Sequence, residues 1–330
     1  MGFFASKMYL CKKQEKNKKM GLFTSLFGGK KNAEEENDKK FDILKYDGIR
    51  AMRIGKLTYA IKCFEEATAI QEDIETMQHQ ANTYIRVNQM EDARKVLERI
   101  TILTSDDPQA FLSLASLCYM QEDYKGMNEA CQKALALDDK NPLTYFLSAK
   151  AGLGMSNGIQ AIAMLTKAIM LNEEFTEAYQ LRAEVLWSMR QVKDANEDIE
   201  KLLSMNPEDE SALLLKAEIL AVSGKEEEAL TNIDQVLELN PFNEKAYLLK
   251  GSYFLAKKEF DKAIAVYDEA LEINPNFAQA YHERGRVKLA KGDKNGSMED
   301  MKRAIELAPE NSASIDGEYN NYEQQKNIPF

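Results

Sequence analysis

Apolar residues recur along this chain in a unit of about 34 residues between residues 41 and 311. Within each unit, large apolar residues stand three or four apart in two sets, and this spacing places each set on one face of a helix. Eight small residues mark the period, at a first step of 33 residues and later steps of 34: Gly48, Ala81, Ala115, Ala149, Ala183, Ala217, Gly251 and Gly285. A fixed period of this length is typical of a stacked-repeat protein and predicts helical hairpins.

A second position in each unit is also small. If the residues above are counted as position 8, position 20 is alanine in six of the eight units. Small residues at both positions let two antiparallel helices approach closely. Glycines near positions 15 to 17 predict the turn between the helices: Gly55, Gly158, Gly224 and Gly292. Six of the seven prolines fall at junctions between units, where a helix ends or begins.

This pattern resembles the tetratricopeptide repeat family over residues 41–311. The clearest unit, residues 244–277, reads EKAYLLKGSYFLAKKEFDKAIAVYDEALEINPNF. Earlier units depart from the family pattern, since position 32 is not proline in the first four. The resemblance implies an all-α fold, a right-handed α-solenoid of about eight helix-turn-helix units with a concave inner face. The predicted units are 41–73, 74–107, 108–141, 142–175, 176–209, 210–243, 244–277 and 278–311.

The charge of the chain is unevenly divided. The whole chain carries a net charge of −11, but residues 1–40 hold ten lysines and five acidic residues, so residues 41–330 carry −16. An array this acidic repels phosphate backbones, and no nucleic-acid partner is expected. We predict a lysine-rich leader over residues 1–40, the solenoid over 41–311, and a polar tail over 312–330.

The leader contains a short amphipathic segment. Leu22, Phe23, Leu26 and Phe27 would share one helix face, ahead of Lys30 and Lys31. One interpretation is a helix that docks on a membrane surface or a partner. The other is a mobile leader whose apolar residues touch the first repeat. Met20 opens a segment that looks like a natural chain start, so either Met1 or Met20 is the true start.

Cysteine usage favours a reducing compartment. Cys11, Cys63, Cys118 and Cys131 form neither a CxxC pair nor a disulfide framework. Cys118 and Cys131 fall at packing positions of one unit, which favours small buried side chains over a redox pair. We expect a cytoplasmic protein, with a peripheral location at the inner membrane face as the alternative.

The residues that catalysis or metal binding would require are not grouped in the sequence. Only two histidines occur, His79 and His282, and no histidine, cysteine and carboxylate cluster has metal-ligand spacing. No serine or cysteine stands near a base that would activate it. We therefore predict no enzymatic activity, no cofactor and no metal.

In the family, the first helix of each unit lines the inner face, mainly at positions 2, 5, 9, 12 and 13. Carried over residue by residue, this implies a central peptide-binding groove lined by Leu112, Tyr119, Phe146, Lys150, Gln180, Trp187, Leu214 and Glu218. Aromatic anchors flanked by polar groups are typical of binding hot spots. The alternative is that some of these side chains pack between repeats or under the C-terminal tail.

These observations predict a scaffold or adaptor that binds a protein or peptide. The alternative is a membrane-associated assembly factor or co-chaperone-like protein, tethered through its leader. Chaperone-binding relatives clamp a C-terminal carboxylate with lysine, asparagine and arginine at set positions. The first three units place Lys45, Ile49, His79, Gln109 and Ser113 there, and this disfavours a carboxylate clamp.

Overall fold

The computed structural model describes residues 28–309, with side chains from residue 35 onward. This range contains 16 α-helices and no strand. In chain order they are α1 (Gly28–Arg53), α2 (Leu57–Ile70), α3 (Ile74–Arg86), α4 (Met90–Leu103), α5 (Pro108–Met120), α6 (Tyr124–Leu137), α7 (Pro142–Gly154), α8 (Gly158–Leu171), α9 (Thr176–Ser188), α10 (Val192–Met205), α11 (Glu210–Val222), α12 (Glu226–Leu239), α13 (Glu244–Ala256), α14 (Phe260–Ile273), α15 (Ala278–Lys291) and α16 (Lys294–Leu307). Each predicted unit thus supplies one helix pair.

Helices pack as consecutive antiparallel pairs, and each pair packs on the next within its section of the chain. One compact section ends at Asp139 and contains α1–α6. The other begins at Lys140 and contains α7–α16. The predicted all-α repeat architecture is confirmed.

The small residues at positions 8 and 20 lie where the two helices of a pair cross. Ala183 and Ala195 are fully buried within one pair. Gly251 shows why size matters there, because a Cβ atom added to it would lie 2.2 Å from Cζ of Tyr267. The ring of the buried Tyr267 therefore occupies the space that glycine leaves open.

The turn inside each pair depends on one backbone conformation. Position 15 has a positive φ in all eight repeats, at Gly55, Asn88, Glu122, Ser156, Arg190, Gly224, Lys258 and Gly292. Glycine adopts this region without strain, whereas other residues do so at a cost. The prediction that Gly158 serves as a turn breaker is wrong: Ser156 has the left-handed conformation, and Gly158 is the first residue of α8.

Polar contacts link successive repeats in the section from residue 140 onward. The side chain at position 7 reaches position 25 of the preceding repeat three times through an ion pair: Lys216–Glu200 (2.9 Å), Lys250–Asp234 (2.7 Å) and Arg284–Asp268 (2.5 Å). At the one remaining junction of this section, which comes first in chain order, Arg182 donates to the hydroxyl of Thr166 at 2.9 Å. These contacts form a regular series beside the apolar core.

The first helix is longer than the repeat pattern predicts. α1 begins at Gly28, although the first repeat was expected to begin at residue 41, and residues 35–40 are exposed. The predicted docking residues Leu22, Phe23, Leu26 and Phe27 lie outside the described residues, as does the polar tail. The predicted domain boundaries stay predictions.

Candidate functional site

Two of the predicted groove residues belong to the core. Leu112 on α5 and Leu214 on α11 are each 2% exposed. The expectation that their side chains face a ligand is corrected by this burial. Both stand at position 5 of their repeats, where the helix turns an apolar side chain toward its neighbours instead of the solvent.

Two predicted residues remain accessible in the early and middle repeats. Tyr119, near the end of α5, is 40% exposed and meets the ring of Tyr124 edge-on at 6.4 Å. Phe146 on α7 is half-buried, because its ring packs against that of Phe175 at 5.1 Å. The Lys150 ammonium group lies 5.6 Å from the centre of the Phe146 ring, a cation–π geometry.

The side-chain amide of Gln180 has a hydrogen bond at its nitrogen but none at its oxygen. Its Nε2 donates to Glu184 at 2.7 Å, while its Oε1 is buried and accepts no hydrogen bond from the described residues. The side chain lies on α9, about two turns before Trp187 on the same helix.

Trp187 and Glu218 come together at a cavity of about 680 Å³. Its walls come from α9, α11 and α13, with Arg190 and Lys257 from the turns after α9 and α13 and Glu226 from the start of α12. The lining is Trp187, Ser188, Arg190, Glu218, Ala221, Val222, Glu226, Leu249, Ser252, Tyr253, Ala256 and Lys257. The volume falls in the range of ligand-binding pockets.

The cavity has an aromatic side chain on each flank and small residues between them. Trp187 comes from α9 and Tyr253 from α13, while Ala221, Ser252 and Ala256 leave space between the rings. A bulky apolar side chain fits a site of this composition. Aromatic walls give such a side chain much contact area at a low cost in conformational entropy.

Charges at the cavity are paired across repeats. Lys257 forms an ion pair with Glu226 and lies 5.0 Å from the centre of the Tyr253 ring. The hydrogen bond from Lys257 lowers the pKa of Glu226. Glu218 is 3.6 Å from the Lys245 ammonium group, and the Arg190 guanidinium lies 5.9 Å from the centre of the Trp187 ring. The lining itself contains two acidic and two basic residues, so an uncharged anchor is favoured.

A second, smaller cavity adjoins the first through Ser188, which lines both. It measures about 430 Å³, and its apolar lining is Leu153, Ile159, Val185 and Met189. Met189 is a flexible thioether that adapts to different shapes. The two cavities together extend the accessible apolar surface over several repeats of this section.

Sequence reasoning identified Trp187 and Glu218 but missed Leu249 and Tyr253. These two stand at positions 6 and 10, outside the positions that the family resemblance supplied. The aromatic pair Tyr253-Phe254 in the clearest unit was a usable signal, since only one of two adjacent helix positions can point into the pair's core.

In residues 28–309, no group of three or more His, Cys, Asp or Glu side chains is arranged to hold a metal ion. Over the same range, no helix combines the length and the hydrophobicity needed to cross a bilayer. Cys63, Cys118 and Cys131 are reduced and buried, and burial raises the pKa of Cys131 to about 12.

The helix pairs and the cavity between their first helices define a helical-repeat protein with an accessible apolar site. Two family models match it: residues 80–142 match the family described as "Tetratricopeptide repeat", and residues 158–297 match "Tetratricopeptide repeat protein 21 N-terminal ARM repeat". Over these residues the chain matches tetratricopeptide-repeat family models, which confirms the resemblance predicted from the sequence. A search of curated proteins finds no match to this chain.

Solved structures share the fold at low sequence identity. A tetratricopeptide repeat protein from Parabacteroides merdae superimposes with a TM-score of 0.62 and 17% identity, over 74% of this chain and 96% of that one. The C-terminal part of a repeat protein from Cytophaga hutchinsonii gives 0.57 and 15%, over 72% and 98%. PilW, a type IV pilus biogenesis factor, gives 0.54 and 16%, over 63% and 97%. These likenesses show the fold.

Proposed function

We propose that this protein is a non-enzymatic scaffold that binds a protein or peptide partner through the cavity between Trp187 and Tyr253. The cavity carries the proposal because it combines two aromatic walls, small residues between them and enough volume for a bulky side chain. The matching family models describe repeats and name no enzyme. A repeat array that offers one helix of every unit to solvent is suited to holding other molecules.

The partner should anchor itself with a large apolar or aromatic side chain. Such a side chain would pack between the rings of Trp187 and Tyr253 and displace water from Val222, which is exposed. Polar backbone groups of a peptide would meet Ser188, Ser252 and the paired charges at the rim. A cytoplasmic location for this binding is a prediction from cysteine usage alone.

Two alanines at the same repeat position allow a matched test. Ala256 lines the cavity, while Ala290, 34 residues later on α15, is not part of its lining. Peptides are selected from a random displayed library on the purified wild-type chain, and their affinities are then measured by the fluorescence of Trp187, the only tryptophan.

We expect Ala256→Leu to weaken the selected peptides by about tenfold or more, equivalent to about 1.4 kcal/mol, because the added side chain fills the anchor space. Ala290→Leu should leave their affinities unchanged, and both variants should keep the wild-type melting temperature. Equal affinities for the Ala256→Leu variant and the wild type would refute the cavity as the binding site.

A further inference from the structure

Position 3 of the repeat separates the first repeat from the others. In later repeats it is a small and nearly fully buried residue: Thr76, Ala110, Ala178, Ala212, Ala246 and Ala280. In the first repeat it is Ile43, a larger and more hydrophobic residue, which is 61% exposed. Burial of position 3 in the later repeats follows from the stacking of each helix pair on its predecessor, as α2 packs on α3. Within the described residues, the first pair has no predecessor.

Ile43 belongs to a small apolar face. Tyr46 lies on the same side of α1, three residues further on, and Tyr59 lies on α2; each is 55% exposed. The repeat equivalent of Tyr46 is His79, whose ring stacks on Phe64 of the preceding pair at 5.9 Å. Ile43, Tyr46 and Tyr59 are here called the first-repeat face. The equivalent side of the second repeat packs against the preceding helix pair.

The face also has an acidic border. The carboxylates of Asp47 and Glu66 lie close enough to Tyr59 to help raise its pKa, after the larger effect of its hydrogen bond with Cys63. Asp47 is paired with Arg50 on the next turn of α1, whereas no ion pair of Glu66 is seen among the described residues. An occupant of this face should therefore combine apolar side chains with positive charge placed near Glu66. A solenoid end that exposes apolar packing surface requires a cap to remain soluble.

The chain upstream of α1 has this composition and enough length. Residues 1–27 include Leu22 and Phe23, with a run of lysines at residues 12–19. Along α1, Ile43 is fifteen residues from Gly28, or about 22 Å at the rise of an α-helix. Seven extended residues cover about 23 Å, so a chain that turns back at Gly28 brings Leu22 to within one residue of Ile43.

We propose that residues 1–27 fold back along α1 and cover the first-repeat face, as the N-terminal cap of the repeat array. Leu22 and Phe23 then contact Ile43 and Tyr46, and the lysines that precede them approach Glu66. A cap held in this way keeps the apolar residues of the leader out of contact with other surfaces. This proposal is independent of the cavity around Trp187.

Thiol labelling of the full-length chain tests the cap. In a Cys11→Ser background the remaining cysteines are buried. Ile43→Cys is then compared with Ile102→Cys, because the two isoleucines have nearly equal exposure in the described residues, 61% and 66%. Tyr46→Cys serves as a second reporter if the first variant misfolds, and circular dichroism checks the fold of each.

If the covered state outweighs the open state by about ten to one, the Ile43→Cys thiol should react about tenfold more slowly than the Ile102→Cys thiol. Adding Leu22→Ser and Phe23→Ser should raise its rate to that of the Ile102→Cys control. Equal rates with the leader intact would overturn the proposal. So would protection that survives the two leader substitutions; if it also grew with protein concentration, a second copy of the chain would be the occupant.

Discussion

Replacing Gly251 by alanine should destabilise the fold because the added Cβ atom would collide with the ring of Tyr267. The added Cβ would lie 2.2 Å from Cζ of Tyr267 and 2.5 Å from its hydroxyl oxygen, whereas carbon atoms in contact prefer about 3.5–4.0 Å. The ring or the helix must therefore move by more than about 1 Å. Tyr267 is fully buried, so no open space accepts the ring. We expect a loss of about 3 kcal/mol, the upper end of the range for overpacked cores.

The matched control is Gly285→Ala, at the same repeat position one unit later. There the nearest atoms to an added Cβ are Cε of Met301 and the backbone oxygen of Ser297, both at 3.2 Å. Small shifts and the flexible Met301 side chain relieve this contact, and the expected loss is about 1 kcal/mol or less. Urea denaturation followed by circular dichroism measures both variants.

A double-mutant cycle identifies the cause. Tyr267→Leu removes the ring atoms that collide with the new Cβ, so Gly251→Ala should cost about 2 kcal/mol less in that background. Tyr267→Phe should by itself be nearly neutral, because the buried hydroxyl makes no hydrogen bond with the described residues. The reasoning is refuted if Gly251→Ala costs no more than Gly285→Ala, or if the coupling is zero.

Three further predictions concern ion pairs, turns and pH. Asp198→Asn should cost about 3 kcal/mol by urea denaturation, because it breaks a buried pair in which Arg182 donates at 2.8 and 2.6 Å. Lys258→Gly should raise stability by about 0.5–1 kcal/mol, since Lys258 has a φ of +61°; Asn88→Gly, at +62°, should gain less because asparagine tolerates this region. Hydrogen bonds from the Gly126 amide and Arg94 lower the pKa of Asp123. The stabilisation that its carboxylate provides is therefore fully present above pH of about 3.9, the ordinary pKa of aspartate, and is lost as the pH falls through the lowered pKa of the folded state.

Each of these has its own check. Glu197→Gln, at an exposed pair 3.8 Å from Lys193, should change stability by less than about 0.5 kcal/mol; a loss equal to that of Asp198→Asn would contradict the burial argument. A destabilised Lys258→Gly variant would contradict the strain argument. For Asp123, the urea midpoint should fall less between pH 5 and pH 3 in Asp123→Asn than in the wild type. Equal falls would show that Asp123 does not contribute to the pH dependence of stability.

Regular spacing in the sequence was enough to predict the repeat fold, because helix pairs of equal length can bury their apolar faces only against each other. Position 8 illustrates this: a small residue there is required by the helix crossing in every repeat, so its recurrence is visible without coordinates. The same holds for the series from Glu200–Lys216 to Asp268–Arg284. Opposite charges recur there at a separation of 16 residues, a signal that the sequence contained but that was not used.

Tertiary structure decided which side chains of each first helix reach solvent. Leu112 and Leu214 share a repeat position with the half-buried Phe146, but burial depends on the size of every neighbour in the adjacent pair, which spacing along the chain does not encode. The cavity between Trp187 and Tyr253 likewise exists because Ala221, Ser252 and Ala256 are small where three helices meet. The sequence by itself determined that helix pairs would stack in order; the local fit of unequal side chains determined where a space remained between them.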